Sequence, residues 1–304
     1  MAELTSSAPA LLRKPVDRTQ AQPTAVRTGT AWSLLLVLAP YLAFVTIPIV
    51  AVVLYSLATR WTTSILPDGY TLDHWLAAFR DPRFLAVLAR TFVLAVTVSV
   101  LTVALVTPAV YWQHVRNPRI RTMLGLLAGI PFALPYVVVG FGLLKATGDF
   151  APWLQGTAGL LLLAQVSVAF SFAYWSIDAS MAAANVVALT ETARTCGAGL
   201  WQTLRHVILP NIRAGIVSGA ILAFGVSFSE LALVQILVGS RFETLELYML
   251  NMLKSADANF NILAVITMIS FIITLVLTAA VAYLSRGHGR SAGPGASLDM
   301  KRKR

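Results

Sequence analysis

The sequence predicts an all-α, polytopic membrane protein with six transmembrane helices. Three observations carry that prediction. Of the 304 residues, 57% are hydrophobic and only 12% are charged, and the mean hydropathy is +0.75; soluble domains carry roughly 25% charged residues. Six apolar runs, 32–57, 87–111, 122–144, 158–177, 212–238 and 262–285, reach the about 20 residues that a helix needs to cross a bilayer. None alternates with the period of a barrel strand, so each must satisfy its backbone internally as a helix.

Residues 1–31 are rich in Ala, Thr, Pro and basic residues and lack a sustained apolar period, which reads as a flexible tail. The first run begins near Trp32 and continues to Leu57, with the lengths and flanks of a spanning anchor rather than of a secretory signal. The third run contains Pro131 and Pro135. Prolines inside a helix free carbonyls at membrane depth, which is tolerated where neighbours or a water-lined path satisfy them. These two either line a pathway or only kink the span.

The fifth run holds Glu230, with Ser227 and Ser229 beside it. A carboxylate at the bilayer centre costs about 2.5–3.5 kcal/mol on insertion scales, so Glu230 is expected to face the bundle interior. It serves either a translocation pathway or an interhelical hydrogen bond. Residues 286–304 form a basic tail whose closing "KRKR" is a solvated run, not a nucleic-acid patch.

Basic residues set the orientation. One side holds the N-terminal tail, the second and fourth connections and the C-terminal tail, with sixteen Lys and Arg; the other side holds seven. The positive-inside rule places both termini in the cytoplasm. The net charge of +10 is therefore a topology signal. Cys196 is the only cysteine, so it forms no intrachain disulfide, and it reads as a small helix-packing residue.

The connection 178–211 is helical in composition. "SMAAANVVALTETARTC" contains helix formers and neither Pro nor Gly; Gly197 and Gly199 then break it, and "LWQTLRHVIL" resumes an amphipathic run that Pro210 closes. Leu200, Leu204 and Val207/Ile208 share one face at helical spacing. Two short helices joined at a glycine bend near the membrane surface follow, on the cytoplasmic side. They either cover the bundle or carry a contact.

Glu191, Ala193, Gly197, Val207, Leu209 and Pro210 match the pattern E-A-A-x-x-x-G-x9-I-x-L-P, with Thr192 in place of the second Ala and Val207 in place of Ile. Through this pattern the chain resembles the permeases of binding-protein-dependent ABC transporters. "GIPFALPYVVVGFGLL" is similar to the Pro-rich third span of that family. "SGAILAFGVSFSELALVQILVG" and the "ETLELYMLNMLKSADANFNILAVITMI" that follows resemble its polyamine and 2-aminoethylphosphonate type. The resemblance covers about 32–285.

The resemblance implies a type I importer fold in which 191–210 is a cytoplasmic coupling helix, docked on a separate ATPase dimer. Glu191 would pair with a base or cap a helix, Gly197 would permit the bend and close approach, and Leu200, Leu204 and Val207 would dock or pack. Pro210 would mark the lever's end. A second permease subunit (copy or homologue), an extracytoplasmic solute-binding protein and the lipid bilayer of a bacterial inner membrane would complete the system. The implied solute is a polyamine (spermidine or putrescine) or 2-aminoethylphosphonate, with ferric iron or thiamine as further options. An ion-coupled secondary carrier is the rival reading.

No G-x-x-x-x-G-K-[ST] occurs, so ATP is expected on the partner and no cofactor on this chain. His74, His114, His206 and His288 are scattered without metal-ligand spacing, and no nucleophile–base set points to an enzyme.

Overall fold

The computed structural model describes residues 28–61, 64–256 and 258–286. The rest of the two predicted tails, with His288 and the closing basic run, lies outside the described residues. All regular elements among them are helices, apart from an isolated bridge between Ala58 and Tyr70. The chain divides into two units, up to Val50 and from Ala51 onward. The first contains most of helix α1 (Thr28–Leu57), whose described side chains from Leu36 to Val50 are all exposed.

The second unit begins with α2 (Asp73–Arg80) and α3 (Pro82–Val115). At 34 residues, α3 is about 51 Å long and outruns both the predicted span and a hydrocarbon core of about 30 Å. Its start is well marked: Asp81 accepts from the Arg83 N–H at 2.8 Å and Pro82 occupies the first turn, where its missing donor costs nothing.

The predicted third span is not one helix. α4 (Ile120–Ala133) and α5 (Tyr136–Phe150) meet at a 107° bend. Pro135 forces the residue before it out of the helical region, and Leu134 sits at φ −108°, ψ 129°. Pro131 stays inside α4, so Pro135 makes the break. α6 (Ala158–Ala183) starts on Thr157, whose hydroxyl accepts from the Leu160 N–H at 3.3 Å, and runs six residues past the predicted end.

α7 (Val186–Thr195), α8 (Leu200–Gln202), a π-helical stretch Thr203–Ile208 and α9 (Leu209–Asn211) form the connection. A 76° bend leads into α10 (Arg213–Phe228). The predicted fifth span ends there: residues 229–231 break it, and only the short α11 (Ala232–Leu237) continues. α12 (Leu245–Lys254) and α13 (Phe260–Arg286) complete the chain. Among the described residues four helices are long and apolar enough to cross a membrane, or up to six segments if each bent pair counts as one span.

α3, α6 and α10 form the centre. Gly215 lies against Ser180 and Ser176, Gly219 against Ala173, and Ser227 donates to Gln165 Oε1 at 2.7 Å, so α10 runs antiparallel to α6 along a seam of small residues. Close backbone approach over such residues replaces the hydrophobic drive that lipid cannot supply. Leu94 and Val98 of α3 share a cluster with Leu161 and Ala164, whereas Val106 and Val110 share one with Ala173 and Ile177, which makes α3 and α6 parallel.

At the end of α3 remote from the 178–211 connection, Arg83 Nη2 meets Glu243 Oε1 at 3.0 Å and Arg90 Nη1 donates to the Glu243 carbonyl at 2.9 Å. Tyr248 donates to Asp81 Oδ2 at 3.0 Å; burial first, then that bond, pushes its phenol up to about 12, so it remains a donor at neutral pH.

Candidate functional site

The connection is built around Gly197. The Ala198 N–H donates to the Ala193 carbonyl at 3.0 Å and the Gly197 N–H to the Arg194 carbonyl at 2.9 Å, the paired bonds of a Schellman close. That close needs a left-handed residue, and Gly197 has φ +80°. A Cβ there would meet nothing within 4 Å, so the bend accounts for this glycine within the chain and the expected close approach does not. Ala193 is buried, whereas Glu191, two residues earlier, points to solvent. A second left-handed residue, Asn185 at φ 48°, separates α6 from α7. The helical composition of 180–196 predicts one helix through this point, but Asn tolerates the left-handed region better than most residues and breaks it.

Beyond the bend, hydrogen bonds over five residues widen the turn across Thr203–Ile208. Pro210 follows; its ring would crowd the carbonyl four residues back in a regular α-turn. Ile208 is buried, and Leu204, Val207 and Leu209 pack partly buried against the cluster that contains Val110, Ile177 and Val186. Leu200, ahead of the wide turn, is left outside this face: it is 49% exposed beside Trp201 at 66%. Cys196 is exposed too, at the end of α7, and does not pack a helix as expected.

Beside this segment lies a polar cluster to which the sequence alone assigns no role. Asp178, on the last turns of α6, is buried. Its Oδ1 accepts from Gln113 Nε2 and lies 2.7 Å from His114 Nε2, and its Oδ2 lies 3.3 Å from Arg121 Nη2. Tyr174 donates to Gln113 Oε1 at 3.2 Å, and the Tyr111 hydroxyl lies 3.3 Å from Thr190 Oγ1 of α7. The partners are 57 to 65 residues from Asp178 in the chain, so no local spacing could reveal them.

The residues proposed for a pathway divide into separate places. Ser229 and Gly225 line an open cleft of about 560 Å³ with Ser218 and Leu222 of α10, Phe172 of α6, and Thr274 and Thr278 of α13. Ser227 and Glu230 instead face an enclosed space with Gln165 and Leu233. Glu230 is not in a helix: it sits in the 229–231 break, where its Oε1 accepts from the Leu233 N–H at 2.8 Å. Pro135 is exposed and Pro131 half-buried at the α4–α5 bend, and neither lines the cleft. No group of three or more His, Cys, Asp or Glu side chains that could hold a metal ion occurs among the described residues.

Residues 108–288 match the family model of the binding-protein-dependent transport system inner membrane component, and this stretch includes the whole Gly197 segment. The chain belongs to that family. It is thus a multi-pass inner-membrane permease. Over 252 residues this permease is 25% identical to a candidate 2-aminoethylphosphonate transport permease, PhnV, of Salmonella paratyphi A, covering 82% of this chain and 92% of that protein. It is 29% identical over 167 residues to the molybdenum transport permease ModB of Azotobacter vinelandii, covering 51% and 74% respectively. In fold it is similar to a chain of a bacterial alginate ABC transporter solved with an alginate-bound periplasmic protein, with a TM-score of 0.63 and 17% identity over 85% of this chain and 95% of that one.

Proposed function

We propose that this permease forms one half of the translocation pathway of an ABC importer and takes its driving force through residues 186–211. It works with a second permease subunit (a copy or a homologue), an ATPase dimer that binds and hydrolyses ATP, and an extracytoplasmic solute-binding protein. The observation that carries this reading is the Gly197 segment. Its inner face packs on the ends of α3 and α6, while Glu191, Leu200 and Trp201 stay exposed on the far side. A rigid element with one face on the spans and a mixed face outward suits a docking lever. The excess of basic residues supports a cytoplasmic position for it and for both termini.

The cleft on α10 offers the pathway wall. Ser218, Leu222, Gly225 and Ser229 recur at helical spacing along it, and a second subunit would close it. The solute favoured here is 2-aminoethylphosphonate, from the PhnV relative and from the sequence of 218–239 and 243–269. A polyamine draws support from the sequence resemblance alone.

Pull-down of the tagged permease from its native membrane, followed by uptake in cells carrying the whole system, tests this reading. The expected result is an ATPase in the complex and ATP-dependent uptake of 2-aminoethylphosphonate that spermidine does not compete. Uptake without any ATPase would indicate a secondary carrier and overturn the importer reading. Competition by spermidine, ferric iron or thiamine would reassign the solute.

A further inference from the structure

Three carboxylates, Asp178, Glu230 and Glu243, are buried among the described residues. Glu243 meets an arginine at the remote end of α3 and Glu230 closes a local turn. Asp178 alone lies beside the 186–211 segment, and it joins three helices. Gln113 and His114 reach it from the last turn of α3, Arg121 reaches it from the first turn of α4, and it belongs to α6 itself. Tyr174, one turn earlier on α6, closes the ring through Gln113.

The position of this cluster gives it a mechanical meaning. α3 turns into α4 through 116–119, and α6 turns into α7 through Ala184 and the left-handed Asn185. The Asp178 cluster ties together the helix ends just ahead of these connections. The Tyr111–Thr190 contact, two residues before Gln113, attaches α7 to the same end of α3. A carboxylate that accepts three donors in a poorly solvated place holds them more firmly than neutral pairs would. Packing alone would not require the charge, since Asn has the same shape.

We propose that Asp178 is a positioning residue of the transport cycle. By holding the ends of α3, α4 and α6 as one body, it makes a displacement of the 186–211 segment move all three helices together. The proposal rests on the ABC-importer reading above.

The test uses the whole assembled transporter in proteoliposomes and measures complex yield, ATP hydrolysis and solute uptake together. Asp178→Asn keeps the volume and an acceptor for Gln113 but loses the pair with Arg121. The expected result is normal yield and continued ATP hydrolysis, with uptake per ATP lowered about tenfold, within the usual range of coupling between sites. Arg121→Gln, at a side chain that is 60% exposed, is expected to uncouple in the same direction but less, and Arg121→Lys to restore coupling. A wild-type uptake-to-ATP ratio in Asp178→Asn overturns the proposal. If Asp178→Asn lowers the yield, Arg121→Gln decides: a wild-type ratio there overturns it, and a lowered ratio that Arg121→Lys rescues sustains it. Failure of the wild-type permease to bring down an ATPase is a separate result, which overturns the importer reading and this proposal with it.

Discussion

The Leu233 N–H donates to Glu230 Oε1 at 2.8 Å, so the acid inside the fifth apolar run closes the first turn of α11. A buried amide N–H without an acceptor costs about 1–3 kcal/mol. Glu230→Gln keeps a carbonyl oxygen in reach and is expected to leave complex yield and melting close to wild type, whereas Glu230→Leu is expected to lower the melting temperature. Fluorescence-detected thermal unfolding of the detergent-purified complex reads the difference. Equal behaviour of the two variants would mean that this bond does not hold the break.

At Gly197 the backbone angle, not the available space, is limiting. The left-handed conformation costs an L-residue about 1–2 kcal/mol, with Asn the mildest case. Uptake is therefore expected to fall in the order Gly197→Asn, Gly197→Ala, Gly197→Val, with the last also weakening ATPase pull-down. A loss that is already complete in the Asn and Ala variants would point instead to a partner surface seated on the glycine.

Two glycines of α10 should respond oppositely. A Cβ on Gly215 would collide with the Ser180 side chain and approach the Ser176 carbonyl to 3.0 Å, while one on Gly225 would meet nothing within 4 Å. Gly215→Ala is expected to cost about 1–3 kcal/mol through overpacking and to reduce complex yield. Gly225→Ala should fold normally, and Gly225→Leu should fold yet slow uptake by filling the cleft. Full uptake with a leucine there would remove this cleft from the pathway.

Exposure of Cys196 makes orientation measurable without adding a cysteine on that side. A membrane-impermeant maleimide should label Cys196 only in inverted vesicles, and ATPase binding should slow the labelling. On a Cys196→Ser background, Ser240→Cys should label from outside intact cells. Labelling of Cys196 in intact cells would reverse the proposed sidedness.

Apolar length and composition were enough to show the fold class and to locate all six runs, because a membrane demands both locally. They could not show continuity within a run. Pro135 was visible, but whether it kinks a span or bends it by 107° depends on what packs around α5. The break at 229–231 has neither Pro nor Gly, and its one local sign, Glu230, reads equally as a pathway charge. The Gly197 bend was legible because a left-handed close is a property of one residue and its neighbours. Asp178 was not, since its partners come from other helices and it lies one residue past the end of an apolar run.

The small-residue seam between α6 and α10 encodes its alignment at only two places. Sliding α10 by one turn, about 5.4 Å, would set Gly219 where Gly215 now faces Ser180, an exchange of like for like. Ser176, which now donates to the Gly215 carbonyl, would find another carbonyl one turn along. The same slip would set Ala223 where Gly219 now faces Ala173, and a Cβ there comes within 3.3 Å of the Ala173 backbone. It would also replace Ser227 with Leu231 and leave the Gln165 amide oxygen without its donor. One missing methyl and one hydroxyl thus set the register of two whole helices.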